Sequence, residues 1–349
     1  VDNLTGVKEI FYRFDDGPEK KYGGSLETSE LGRLTMGEHV LYFYAQDQTG
    51  NPEKTGELSF YFDTAQHTLE LKVTGDRHDK GEVVYVSPRS RLGFAAAAAA
   101  GEQTPIKNIL YQVDGGRETR YDNTFFQPPG ANGASGAGGR HILSYTGSDA
   151  VGNTTKKEVQ VIFIDTEPPQ TRLKIGNPVY RDRYSTFAGS RTLMELAAED
   201  DHSGVKAIYY RVDGSPAKEY RGPFSVQAGG KHTLTYYAVD MVNNSEKPLQ
   251  MAFQIDNDPP ELRVTYNAEP RKESVDGIPV YPRDLVISFN AVDAQTEVDK
   301  IIYRFNNGKE YLYRSLVSDF EPGKVYRLTV YALDRLGNKQ EKTAVFKVE

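Results

Sequence analysis

From His232 to Val239 apolar and polar side chains alternate, with Leu234, Tyr236 and Ala238 on one face. A period of two marks a strand that buries one side. The same large-large-small face recurs as Leu41, Phe43 and Ala45, as Leu143, Tyr145 and Gly147, and as Leu328, Val330 and Ala332. Matched sizes at matched positions are a packing pattern. Upstream, residues 205–212 (VKAIYYRV) read as a second strand closed by Asp213-Gly214, a pair that tolerates the positive φ of a two-residue hairpin. Residues 191–200 read as an early core strand and 249–255 as the closing one. Residues 217–226 read as a shorter strand; Gly222-Pro223 interrupts it and predicts an edge, because proline cannot donate to a ladder.

These signals come in four copies, and repetition decides architecture ahead of local detail. Asp47, Asp149, Asp240 and Asp334 follow the tyrosine-rich strand in the strings YAQDQTGN, TGSDAVGN, YAVDMVNN and YALDRLGN, at intervals of 102, 91 and 94 residues. About seven short strands per copy, regular turns and no helical period predict an all-β chain, a tandem array of immunoglobulin-like antiparallel β-sandwiches. The expected domains are 1–66, 67–167, 168–258 and 259–349. Small units bury a modest share of their surface, so neighbours are expected to support one another.

The copies differ. Aligning Val1 on Glu199 leaves the first without its two leading strands, and further residues are expected ahead of Val1. In the second, residues 130–139 (GANGASGAGG) stretch the interval from Phe126 to His141 to 15 positions, against 8 from Phe224 to His232. Such a composition makes a flexible loop. Residues 95–100 are alanines where a strand is needed, although alanine favours helix. Either tertiary context overrides that preference, or the alanines stand in for other side chains. Pro168-Pro169 and Pro259-Pro260 stiffen two joints, whereas residues 63–67 (DTAQH) contain no proline, so an elongated rod with one softer joint is expected.

Composition narrows the roles. A net charge of -7 argues against nucleic acid, which requires a concentrated basic face. No run of 18 apolar residues offers a membrane-spanning helix. The absence of cysteine rules out disulfide scaffolds, thiol catalysis and cysteine-ligated zinc.

Five motifs of the third copy carry a resemblance: D-x-x-S-G-V at 200–205, Y-x-V-D-G at 210–214, Y-x-G-P-F at 220–224, G-x-H-x-L at 230–234, and the A-x-D string at 238–240 followed by Asn-Asn. They resemble bacterial immunoglobulin-like repeats over almost the whole chain. The fourth copy departs, with Asn306-Asn307-Gly308 at the hairpin and Tyr326 where the others carry His39, His141 and His232. The second has Pro105-Ile106 in place of Ser-Gly-Val. The resemblance implies an exported protein of the bacterial periplasm, outer membrane or cell surface, acting as a spacer, adhesin or scaffold that binds a protein partner. One fold hosts many roles, so it implies no chemistry.

Asp47, Asp149, Asp240 and Asp334 are read as turn residues whose carboxylates bind backbone N–H groups just downstream; Asp15, Asp114 and Asp213 are read as hairpin formers. Asp165, Glu167, Asp200, Asp256 and Asp258 crowd the joints, where hard oxygen ligands suit Ca²⁺; solvated linker is the plainer account. The histidines at 39, 141 and 232 recur at a strand start and read as packing residues, while His67, His78 and His202 show no metal-ligand spacing. A glycosidase requires two carboxylates across one cleft, and repeated sandwiches suggest none. The glycine-rich loop does not open a helix and is no phosphate cradle. No enzyme and no cofactor other than calcium is expected. The alternative function is that of a glycan-binding accessory region of a larger secreted carbohydrate-active enzyme, with Tyr22, Tyr121, Tyr220, Tyr311 and Tyr313 stacking on sugars; edge-strand packing is their plainer role.

Overall fold

The computed structural model describes residues 6–26, 28–64, 67–97, 105–129 and 138–349. The chain divides into two compact units, Val1–Thr166 and Glu167–Glu349. Among the described residues a single turn of helix, Thr28–Leu31, interrupts an otherwise all-β chain.

In the second compact unit one arrangement occurs twice. A six-stranded sheet runs Val179–Arg181, Thr186–Ala188, Leu249–Ile255, Gly230–Asp240, Val205–Val212, Lys218–Glu219, and faces a two-stranded sheet of Gln170–Ile175 with Met194–Glu199. Between them lie Met194 and Leu196 from the small sheet and Leu234, Tyr236, Phe253 and Ile255 from the large one. The copy that follows has Lys272–Glu273, Pro279–Tyr281, Lys339–Val348, Val325–Asp334, Val298–Phe305 and Tyr311–Leu312 opposite Glu261–Tyr266 with Ile287–Val292. Its core gathers Leu262, Ile287, Phe289, Leu328, Val330 and Phe346. Two β-sheets enclosing one core, with most neighbours antiparallel, make these immunoglobulin-like β-sandwiches in tandem.

The alternating face predicted from sequence is the buried one. Leu234 and Ala238 are fully buried, as are Leu328, Val330 and Ala332. At Gly147 a Cβ would stand 3.2 Å from Ile106 and 3.3 Å from Thr155, which explains glycine where other copies carry alanine. Residues 217–226 contribute only Lys218–Glu219, at the sheet edge. Each six-stranded sheet also contains one parallel joint that the pattern did not reveal: Phe187 opposite Gln254, Val280 opposite Lys347, and residues 83–86 opposite 161–164.

The first compact unit holds a four-stranded sheet, Lys20–Lys21, Val7–Phe14, Gly37–Asp47 and Gly56–Phe62. It also holds a six-stranded sheet, Thr119–Arg120, Asn108–Val113, Gly139–Ser148, Glu158–Ile164, Val83–Val86 and Arg77–Lys80, facing Thr68–Thr74 with Arg91–Ala97. The alanines at 95 and 96 continue that last strand, opposite Glu70 and Leu69, so ladder pairing overrides their helical preference. The alanines at 98–100 and most of the glycine-rich stretch lie outside the described residues. Among the described residues no small sheet covers the four-stranded one: Phe43 is 43% exposed where Tyr236 is 9%.

Candidate functional site

Polar residues gather at two places in each copy. At the hairpin, Asp213 and Gly214 both take positive φ, 52° and 73°, as a primed turn requires. Asp213 Oδ1 accepts the Thr233 N–H at 2.8 Å, and Oδ2 meets Nδ1 of His232 at 2.7 Å. His232 Nε2 faces the Ala228 carbonyl at 2.8 Å. Both ring nitrogens thus point at acceptors, and only the imidazolium donates to both. Burial pulls the His232 pKa down, but the bonds to Asp213 and Ala228 outweigh it and the net shift is upward. Asp213 is lowered, first by its bond to His232. The first copy repeats this geometry: Asp15 meets His39 at 2.6 Å, His39 reaches the Thr35 carbonyl, and the bond to Asp15 leads the rise of the histidine's pKa. In the second, Asp114 meets His141 at 2.7 Å and accepts the Ile142 N–H.

At the other end of the tyrosine-rich strand, Asp240 Oδ1 accepts N–H from Val242 and Asn244, and Oδ2 accepts the Asn244 side-chain amide at 2.7 Å. Asp334 holds Leu336 and Asn338 in the same way, Asp149 holds Val151, Gly152 and Asn153, and Asp47 holds Thr49 and Asn51. The N–H of Asn51 leads a set of hydrogen bonds that hold the Asp47 carboxyl far below the carboxylate range. The asparagine of the motif does a second job. Asn153 Nδ2 donates to the Asp63 carbonyl at 3.0 Å, and Asn338 Nδ2 to the Asp256 carbonyl at 3.1 Å. The turn therefore clamps the segment that enters its own copy.

These clamps bring ionisable groups together. Asp256, Asp293 and Asp334 place carboxylate oxygens within 4.8 Å of one another. Asp256 is fully buried; it accepts the Thr296 hydroxyl at 2.8 Å and the Gln295 amide at 3.3 Å. Burial, with the charges of Asp293 and Asp334, pushes its carboxyl up. An all-oxygen donor set is the kind Ca²⁺ takes. In the first compact unit the corresponding set is Asp63, His67 and Asp149, all buried and likewise within 4.8 Å. Sequence spacing gave His67 no ligand partners, because Asp149 lies 82 residues away and the Asn153–Asp63 clamp brings the two segments together.

Of the acidic residues singled out at the joints, Asp256 thus sits in a cluster, with Asp293 and Asp334 added by the fold. Asp258 and Glu167 are exposed, and the Asp258 N–H donates to Asp256 Oδ1. Asp165 is buried, with its N–H on the Val86 carbonyl; Asp200 Oδ1 accepts the N–H groups of His202 and Gly204. The tyrosines do not form one platform. Tyr121 is buried, and Tyr220 and Tyr313 pack against core clusters, which takes them away from any sugar ring. Tyr22 and Tyr311 face solvent at 37% and 49% exposure.

No family model matches the chain, and no curated protein matches it. Among solved structures it is similar to fibronectin(III)-like modules of Clostridium thermocellum CbhA, with 14% identity over 53% of this chain and 94% of that one and a TM-score of 0.31. It is similar also to a 1.5-MDa bacterial ice-binding adhesin, with 12% identity over 82% of this chain and 99% of that one and a TM-score of 0.32. A third is protocadherin gammaB7 EC3-6, with 12% identity over 97% of this chain and 93% of that one and a TM-score of 0.29. No helix among the described residues is long and apolar enough to cross a membrane.

Proposed function

We propose that the chain is a non-catalytic structural and interaction protein, whose repeated sandwiches act as spacer and scaffold for a protein partner at the bacterial envelope. One observation carries this reading. The polar residues that recur from copy to copy are hydrogen-bonded into the backbone at the same two places, the hairpin and the clamped turn. Groups held in this way stiffen a scaffold and are withdrawn from reaction chemistry. An exported location follows from the resemblance to bacterial immunoglobulin-like repeats.

A series of mechanically separate sandwiches unfolds one at a time under load. Pulling the full chain by its ends in a force spectrometer should give successive events, each releasing about 30 nm for roughly 90 residues at about 3.5 Å per residue. A single cooperative rupture would reject the scaffold reading. The glycan-binding alternative retains Tyr22 and Tyr311, the two solvent-facing tyrosines of the set. It predicts glycan-array signals that fall in Tyr311→Ala, and an array without signal discards it.

A further inference from the structure

The cluster in the first compact unit differs from its all-aspartate counterpart in one respect that changes its chemistry. His67 is 7% exposed, and its Nε2 has no hydrogen-bond partner. That nitrogen stands 3.5 Å from Asp149 Oδ2, too poorly placed for a hydrogen bond and aimed into a pocket of two buried carboxylates. A buried polar atom without a partner forfeits its hydration for nothing, so natural folds rarely leave one.

The Asp149 carboxylate and the Asp63 backbone are held by groups other than His67. Asp149 Oδ1 accepts three backbone N–H groups and Oδ2 the Asn153 amide, while the Asp63 backbone is fixed by the same Asn153. The pocket is therefore shaped by the fold, and it presents one imidazole nitrogen and two carboxylates. Calcium favours all-oxygen sets. Imidazole with carboxylates suits Zn²⁺ and its neighbours, with a water as fourth ligand. Tetrahedral ligands each about 2.1 Å from one ion stand about 3.4 Å apart. His67 Nε2 and Asp149 Oδ2 already have that spacing at 3.5 Å, and all three ligand atoms lie within 4.8 Å of one another.

We propose that Asp63, His67 and Asp149 bind a divalent transition cation of the zinc class, which ties the segment entering the second copy to the turn after its tyrosine-rich strand.

The test uses the full chain freed of metal by dialysis against a chelator, titrated with ZnCl₂ by calorimetry and with CoCl₂ by absorption. One equivalent of Zn²⁺ should bind, Co²⁺ should give the visible bands of a tetrahedral site, and melting should rise with added Zn²⁺ as ligand linkage requires. His67→Gln should lose the cobalt bands and the zinc-dependent rise, whereas Asp256→Asn should keep both. Because a variant can fail to fold, the wild-type imidazole is also read by ¹⁵N NMR: Zn²⁺ should shift the His67 Nε2 resonance alone among the six histidines. No zinc heat, zinc binding unchanged in His67→Gln, or a His67 Nε2 resonance that does not move when Zn²⁺ is added would each overturn the proposal.

Discussion

The third and fourth copies solve one problem with different chemistry. In the third, Asp213 and His232 close the hairpin; in the fourth, Asn306 and Tyr326 stand at the same register. Asn306 Oδ1 accepts the Arg327 N–H at 2.7 Å, as Asp213 accepts that of Thr233 at 2.8 Å. Tyr326 hydroxyl oxygen accepts the Glu321 N–H at 2.7 Å, where His232 donates to the Ala228 carbonyl. Both rings lie beside a phenylalanine of the closing strand, His232 at 5.6 Å from Phe253 and Tyr326 at 5.5 Å from Phe346. The shape of the joint is thus kept while its charge is exchanged. The fold demands an acceptor on the turn residue and a planar ring on the strand, and it leaves open whether either one titrates.

Three experiments press on that equivalence. The largest effect lies in the cores, where Leu234 and Leu328 are both fully buried at matched positions. Truncating either to alanine should cost about 2–5 kcal/mol of the corresponding copy's stability in urea unfolding. A large difference between the two would show that the copies pack differently despite their shared pattern. Next comes the turn residue. Asp213→Ala and Asn306→Ala each remove the acceptor of a strand N–H and place a Cβ-bearing residue without a local polar contact at φ near 50°, so each should lose about 1–2 kcal/mol. Asp213→Asn, which imports the fourth copy's solution, should be far milder.

The smallest effect is the dependence on pH. His232 has a folded pKa raised above 6.5, so its contribution is complete below about pH 6.5 and disappears as pH rises through the raised value. Asp213 is depressed below 3.8, so its contribution is present above that value and is lost as pH falls through the folded one. The pair therefore favours folding most between these limits. Because the Asp213 side chain is half exposed, the gain is under about 1 kcal/mol. Melting of the His232→Tyr variant should be flatter than wild type across pH 6–8. A wild-type curve already flat there, with His232 titrating at its ordinary value by NMR, contradicts the assignment.

How far the sequence reached can be seen residue by residue. Leu234, Tyr236 and Ala238 announced their face, because eight alternating residues carry enough period to read. The hairpin Val179–Arg181 with Thr186–Ala188 and its parallel joint were illegible, since three residues hold no measurable alternation. Tyr121 and Tyr311 follow two-residue strands or lie in them, where pattern cannot tell core from solvent, and the structure buries one and exposes the other. The turn role of Asp149 and Asp334 was readable from local spacing. Their meeting with His67 and with Asp256 was not, because it depends on contacts across 80 residues or so that the asparagine clamp creates.

That clamp has a consequence for how strain travels. Because one asparagine amide holds both its own turn and the carbonyl of the incoming segment, tension on the segment at Asp63 or Asp256 is delivered sideways into the turn as well as along the sheet ladders. The turn is then expected to act as a fuse at the mouth of the sandwich, yielding before the strands behind it lose register.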